Sequence, residues 1–128
     1  MMQVPGKGHL MSKTVLIVDD EMLICLDIQT QLDELGHRTL VASTFAQAVH
    51  IVETEHVDLA VVDWHLGNLD ASPLVDVLQQ KRVPFVLCSG ATQEELAAHF
   101  PRVPVVPKPF MASQLVAALG RAEKGATC

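Results

Sequence analysis

The sequence predicts a doubly wound α/β domain: one five-stranded parallel sheet with helices on both faces. Three observations lead there. Strand-like and helix-like segments alternate five times along the 128 residues, the pattern of a parallel sheet built from βαβ crossovers. The first, third and fourth strand segments are apolar at nearly every position, as strands covered on both sides are. Finally, 49% apolar and 19% charged residues describe a folded chain rather than a disordered one, and its length suits one domain with a sizeable core.

The elements read in order as follows. Residues 1–12 lack the apolar middle of a signal peptide and read as a flexible tail, with Met11 a candidate natural start. "TVLIV" (14–18) is the first strand. Glu21–Leu35 carries apolar residues at helical spacing, and Gly36 can supply the left-handed stop. "HRTLVA" is a short second strand, and Ser43 or Thr44 caps a helix to about Glu55, with Thr44 and Gln47 at capping-box spacing. Val57–Val62 is the third strand, followed by a helix over Ser72–Gln80 with Pro73 in its first turn. Val83–Cys88 is the fourth strand, and Thr92 with Glu95 opens the next helix. Val103–Val106 is the fifth strand, and its Pro104 suits an edge position. "SQLVAALGRAE" closes a domain spanning 13–123, leaving 124–128 as a C-terminal tail. For five such units the flavodoxin-like order 2-1-3-4-5 is favoured.

Composition narrows the classes of function. A net charge of −6 argues against nucleic-acid binding through a broad basic surface. Cys25, Cys88 and Cys128 show no metal-ligand spacing; the first two lie in apolar runs, and a reducing, cytoplasmic setting fits them. No apolar run approaches the ~20 residues that span a bilayer.

Right-handed crossovers bring the C-terminal ends of all strands to one edge. Strand 1 ends in Asp19, Asp20 and Glu21, strand 3 in Asp63, strand 4 in Ser89 and Gly90, and strand 5 in Lys108. In the order 2-1-3-4-5, strands 1 and 3 flank the switch point where such sheets bind ligands. An Asp after a strand commonly caps the next helix, and Glu21 suits a helix's first turn. The coincidence of four strand ends favours shared chemistry instead. Clustered carboxylates repel and raise one another's pKa; a Mg2+ ion, which takes one or two carboxylates and keeps several waters, removes the conflict. With Asp20 and Asp63 as ligands, Asp63 can serve as a nucleophile toward phosphorus, forming an acyl phosphate. Lys108, the Ser89 hydroxyl and backbone N–H groups would stabilise the transferring phosphoryl oxygens.

"VLIVDDE", "AVVDWHLGN", "VLCSG" and "VVPKPF" together resemble the receiver domain of two-component response regulators, from about Lys13 to Glu123. The resemblance implies that Asp63 is the phospho-acceptor, Asp20 a direct ligand of Mg2+ (or Mn2+), Asp19 a ligand through water and the His65 backbone carbonyl a third ligand. It implies that Ser89 and Lys108 follow the phosphoryl group, and that the Lys108–Pro109 bond is cis. The phosphodonor would be a phosphohistidine on a sensor histidine kinase or histidine phosphotransfer protein. Output would run through protein contact on the face of helix 4, strand 5 and helix 5, or through a relay or phosphate sink. A receiver of this kind turns over no external substrate, binds no nucleic acid or membrane and works in the cytoplasm. The alternatives are an aspartyl-nucleophile phosphohydrolase, which usually carries a carboxylate where His65 stands, a pseudo-receiver that binds a partner without phosphorylation, and a flavin-binding module of the same fold.

The departures from the family pattern are specific. Val105 stands where many receivers carry a switching aromatic, Gly67 where a proline is usual and Ala71 where a glycine is usual. "PFVLCSGA" with "DWHLG" looks like single-domain receivers that lack the strand-5 aromatic and are linked to kinases of the HWE class; Ala91 departs from that subgroup. Phe85 is read as core and Trp64 as packing, and the 89–91 loop with the start of helix 4 as the moving part. His65 is either a solvent-facing histidine or one that tunes phosphoryl lifetime. The other histidines (His9, His37, His50, His56, His99) show no ligand spacing.

Overall fold

The computed structural model describes residues 12–90, 93–108 and 112–127. Its strands are β1 (Thr14–Val18), β2 (Arg38–Ala42), β3 (Leu59–Asp63), β4 (His65–Leu66), β5 (Leu69–Asp70), β6 (Phe85–Ser89) and β7 (Val105–Pro107). Its helices are α1 (Met22–Glu34), α2 (Phe45–Thr54), α3 (Ser72–Gln80), α4 (Gln93–His99) and α5 (Ala112–Thr127). The five longer strands form one parallel sheet in the order β2-β1-β3-β6-β7. With the β4–β5 hairpin set aside, this is the expected 2-1-3-4-5.

The period of two along each strand divides the core between the two faces of the sheet. Val15, Ile17, Leu59, Val61, Val86 and Cys88 pack with α1 and α5. Leu16, Val18, Ala60, Val62, Phe85 and Leu87 pack with α2, α3 and α4. Uniformly apolar strands are thus alternating strands that have an apolar partner layer on each side. Phe85 is core, as the sequence predicts, and Cys25 and Cys88 are free and buried.

Three strands begin two residues later than the apolar runs that announce them, each for a stated reason. Val57 lies ahead of β3, and Asp58 is tied to the start of β1 twice: its N–H donates to the Thr14 carbonyl (2.9 Å) and its carboxylate accepts the Thr14 N–H (2.8 Å). The Val83 N–H turns back to the Leu78 carbonyl (2.9 Å), and Pro84 has no N–H to give. Val103 likewise bonds back to Phe100 (3.0 Å), and Pro104 precedes β7, which lies at the sheet edge.

The helix ends follow local chemistry. Gly36 stops α1 at φ +88°, as expected, with the N–H of Gly36 on Asp33 and that of His37 on Leu32, a Schellman arrangement. The same pair of bonds ends α3, but Arg82 occupies the left-handed position at φ +58°. Thr44 Oγ1 caps α2 by accepting the Gln47 N–H (3.1 Å), and Gln47 Oε1 reaches back to the Ser43 N–H (2.9 Å). Helix α1 starts one residue later than expected, with Glu21 at its N-cap and no side-chain cap bond. Helix α5 runs to Thr127, past Glu123, and Ser12 Oγ donates to the Gly36 carbonyl at 2.8 Å. The expected Thr92 cap, the Lys108–Pro109 bond, Ala91 and residues 1–11 lie outside the described residues. Among the described residues no helix is long and apolar enough to cross a membrane.

Candidate functional site

One hydrogen bond beyond each strand end sets the positions at the C-terminal edge. The Asp19 N–H reaches the Ala42 carbonyl (3.1 Å), the Trp64 N–H the Cys88 carbonyl (2.9 Å) and the Lys108 N–H the Ser89 carbonyl (2.9 Å). The ladder therefore holds the main chain at Asp19, Asp63, Ser89 and Lys108. Asp19 and Asp63 continue the parity of Ile17 and Val61, and Lys108 that of Val106, the side chains that point to the α1–α5 face. Three polar groups from three strands consequently turn to the same side of the sheet.

Their side chains meet. Lys108 Nζ lies 2.9 Å from Asp63 Oδ2, 3.5 Å from Asp19 Oδ2 and 3.6 Å from Glu21 Oε1. Asp19, Asp20 and Asp63 each offer a carboxylate oxygen within 4.8 Å of the others'. Asp19, Asp63 and Ser89 are the buried polar residues among those described, while Asp20 is exposed. Asp19 Oδ1 also accepts the Glu21 N–H at 3.0 Å, so it performs the capping role a lone aspartate would have as well as facing the cluster. Sequence alone suits Glu21 to a helix's first turn; the structure also brings its carboxylate to Lys108, a contact that the "DDE" run does not distinguish from helix capping.

Burial shapes the charge states. It pushes the Asp63 carboxyl above its ordinary range; the Lys108 hydrogen bond opposes this and the Asp19 charge adds to it. Burial likewise raises Asp19, against the Glu21 N–H and the Lys108 charge. At Lys108 burial works toward a lower pKa, but the Asp63 hydrogen bond and the charges of Asp19, Asp63 and Glu21 outweigh it and hold the ammonium firmly protonated. Burial pushes the Cys88 thiol up to about 12 and raises Cys25 too, so neither is a nucleophile near neutrality.

Four carboxylates around one ammonium leave an uncompensated negative charge. Hard oxygen donors in excess of the local cation are the donor set of Mg2+ or Mn2+, so the residues present fit such an ion.

The turn after Asp63 is built for its position. His65–Leu66 and Leu69–Asp70 pair antiparallel across the two residues Gly67 and Asn68, a hairpin within the segment read from sequence as a turn. Gly67 has φ +61° and Asn68 does not share the left-handed region, which is the II′ pattern with glycine first. A proline, with φ fixed near −65°, cannot occupy that place. The substitution of glycine for the family's usual proline is therefore the hairpin's own requirement. The His65 side chain is exposed, and its backbone helps to hold the Asp63 carboxyl down against burial. Asp70 Oδ1 accepts the Ser72 N–H (2.9 Å), joining the hairpin to α3. Trp64 packs as expected, edge to face on Phe100 with ring centres 5.9 Å apart.

A parallel five-stranded sheet with acids, a hydroxyl and a lysine on its C-terminal edge has its polar cluster at the switch point, where open α/β sheets bind ligands. Residues 15–120 match the response regulator receiver domain, and the chain belongs to that family. It is 36% identical over 86 residues to the alkaline phosphatase synthesis transcriptional regulatory protein PhoP of Bacillus subtilis, covering 66% of this chain and 36% of that protein. It is 28% identical over 117 residues to the phyllosphere-induced regulator PhyR of Methylorubrum extorquens, covering 88% and 44%. The chain thus spans less than half of either relative. Among solved structures, a response regulator receiver protein from Sinorhizobium medicae superposes with a TM-score of 0.80 at 25% identity, covering 90% of this chain and 97% of that one. SdrG from Sphingomonas melonis superposes at 0.75 with 29% identity, covering 87% and 96%.

Proposed function

We propose that the chain accepts a phosphoryl group on Asp63 from a phosphohistidine of a sensor histidine kinase or a histidine phosphotransfer protein. The supporting observation is the buried Asp63 carboxylate held 2.9 Å from Lys108 beside two further aspartates. An Asp63 carboxylate oxygen attacks phosphorus, the phosphorus–nitrogen bond of the donor breaks and the imidazole leaves with the electron pair, taking a proton from solvent. Lys108 pairs with one phosphoryl oxygen as Asp63 Oδ2 is consumed, and Ser89 at the end of β6 serves another. Asp20, Asp63 and the His65 carbonyl would hold Mg2+ or Mn2+ directly, with Asp19 acting through water. When bound, the ion supplies charge neutralisation between carboxylates and phosphoryl oxygens.

The chain assists its own phosphorylation and dephosphorylation and turns over no external metabolite. Its output is a protein contact on the α4–β7–α5 face, or a relay or sink role; its place is the cytoplasm, and a kinase of the HWE class suits its strand-end motifs. Met22, Leu23 and Leu26 are exposed at the start of α1 beside the acids, an apolar flank on which the phosphodonor can rest during transfer.

The test is intact mass after incubation with acetyl phosphate and Mg2+. One phosphoryl adduct that vanishes in Asp63→Asn is the expected result. No adduct from either acetyl phosphate or a cognate kinase would overturn the reading, and steady phosphate release from many substrates would favour a hydrolase.

A further inference from the structure

We propose that the Trp64–Phe100 ring pair is the mechanical link that carries the state of Asp63 to α4. The inference rests on the reading of Asp63 as phospho-acceptor. Position 105 holds valine, so a strand-edge aromatic cannot report the phosphoryl group. The chain's one tryptophan instead follows Asp63 directly. Its N–H is fixed to the Cys88 carbonyl at 2.9 Å, so its backbone cannot stay still if the end of β3 shifts relative to β6. Its ring meets Phe100 edge to face, 5.9 Å between centres at 61°, an arrangement with a defined preferred geometry. Phe100 in turn bonds its N–H to Leu96, the buried anchor of α4, and its carbonyl to the Val103 N–H leading into β7. Displacement at Trp64 therefore arrives at both ends of the α4–β7 connection.

The space around the pair permits motion. A cleft of about 360 Å3 separates a wall of Trp64, His65 and Ser72 from a wall of Leu96, His99 and Phe100. Packed interiors respond by discrete shifts when room exists; here the hairpin and α4 face one another across open volume, bridged by Trp64 just before the hairpin and Phe100 just after α4. The element with two arrangements is α4, and the phosphoryl group biases it by moving Trp64.

The experiment is amide exchange over 93–103 with and without acetyl phosphate and Mg2+, in the unaltered protein and in Phe100→Leu, Trp64→Leu and Trp64→Phe, with the phosphoryl adduct measured by intact mass in each. Exchange in α4 is expected to change by about threefold on phosphorylation of the unaltered protein. Phe100→Leu and Trp64→Leu should lose most of that response while carrying the same adduct, and Trp64→Phe should restore much of it. Resting exchange of α4 close to that of the unaltered protein identifies variants that have kept the helix, and two different variants guard against one that has not. Leucine variants that respond fully, or an unaltered protein whose adduct leaves α4 unchanged, would overturn the relay. Absence of an adduct in the unaltered protein would instead remove the phospho-acceptor reading, and the relay with it.

Discussion

At Lys108 the ammonium faces Asp63, Asp19 and Glu21 within 3.6 Å, and burial is already raising the two aspartates. Lys108→Ala removes the one lysine opposing that rise. In the metal-free variant Asp19 and Asp63 should titrate at higher pH than in the unaltered protein, read from side-chain carboxyl carbon shifts; unchanged midpoints would mean that solvent, not Lys108, neutralises the cluster. Arg82 supplies a prediction of the opposite kind. It sits at φ +58°, a region that costs a side-chain-bearing residue about 1 kcal/mol or more. Arg82→Gly should raise stability by about that amount, or a few degrees in Tm. This strain was not legible in the sequence, because nothing in "QQKRVP" distinguishes Arg82 from its neighbours until Val83 turns back to Leu78. The site residues were legible because each is a polar group breaking an apolar run at its end. Glu21 was only half legible, since a helix N-terminus and a charge cluster ask for the same acid.

The elements show why strand identity is readable and strand boundaries less so. An apolar run marks what must be buried, whereas a ladder begins where N–H groups are free to pair. Asp58 and the prolines 84 and 104 shift those starting points without altering the runs. The β4–β5 hairpin was missed because its strands are two residues each, too short for any period to emerge, although Gly67 and Asn68 mark its turn. Gly67→Pro should undo it: a residue that cannot adopt φ +61° costs more than about 1 kcal/mol there. Loss of the hairpin should also slow phosphorylation by acetyl phosphate, because it would displace the His65 backbone from its place beside Asp63. At the start of α1, Leu23→Glu and Leu26→Glu place charge on an exposed apolar patch. They should slow transfer from a phosphohistidine donor while leaving labelling by acetyl phosphate unaltered. Equal slowing of both would locate the defect in the site itself.

For the whole molecule, stability links the acid cluster to pH and to metal. The folded Asp58 carboxyl lies below its ordinary value of 3.8: the Thr14 N–H and His56 outweigh burial. Its contribution is complete above that value and is lost as pH falls through the folded pKa. Asp19 and Asp63 lie above 3.8 in the fold, so the folded state binds more protons than the unfolded one between 3.8 and their raised values, and stability falls as pH rises through that window. Metal-free protein should therefore lose stability as pH rises above 3.8 and the cluster ionises. A divalent ion held by the ionised folded cluster would reverse the decline. At 100 times its dissociation constant it adds about 2.7 kcal/mol. The expected outcome is a rise in Tm on adding Mg2+ at pH 7.5, a smaller rise at a lower pH where protons compete for the same oxygens, and little rise at either pH in Asp20→Asn. A rise of equal size at both pH values, or one that survives Asp20→Asn, would place the ion elsewhere on a chain of net charge −6.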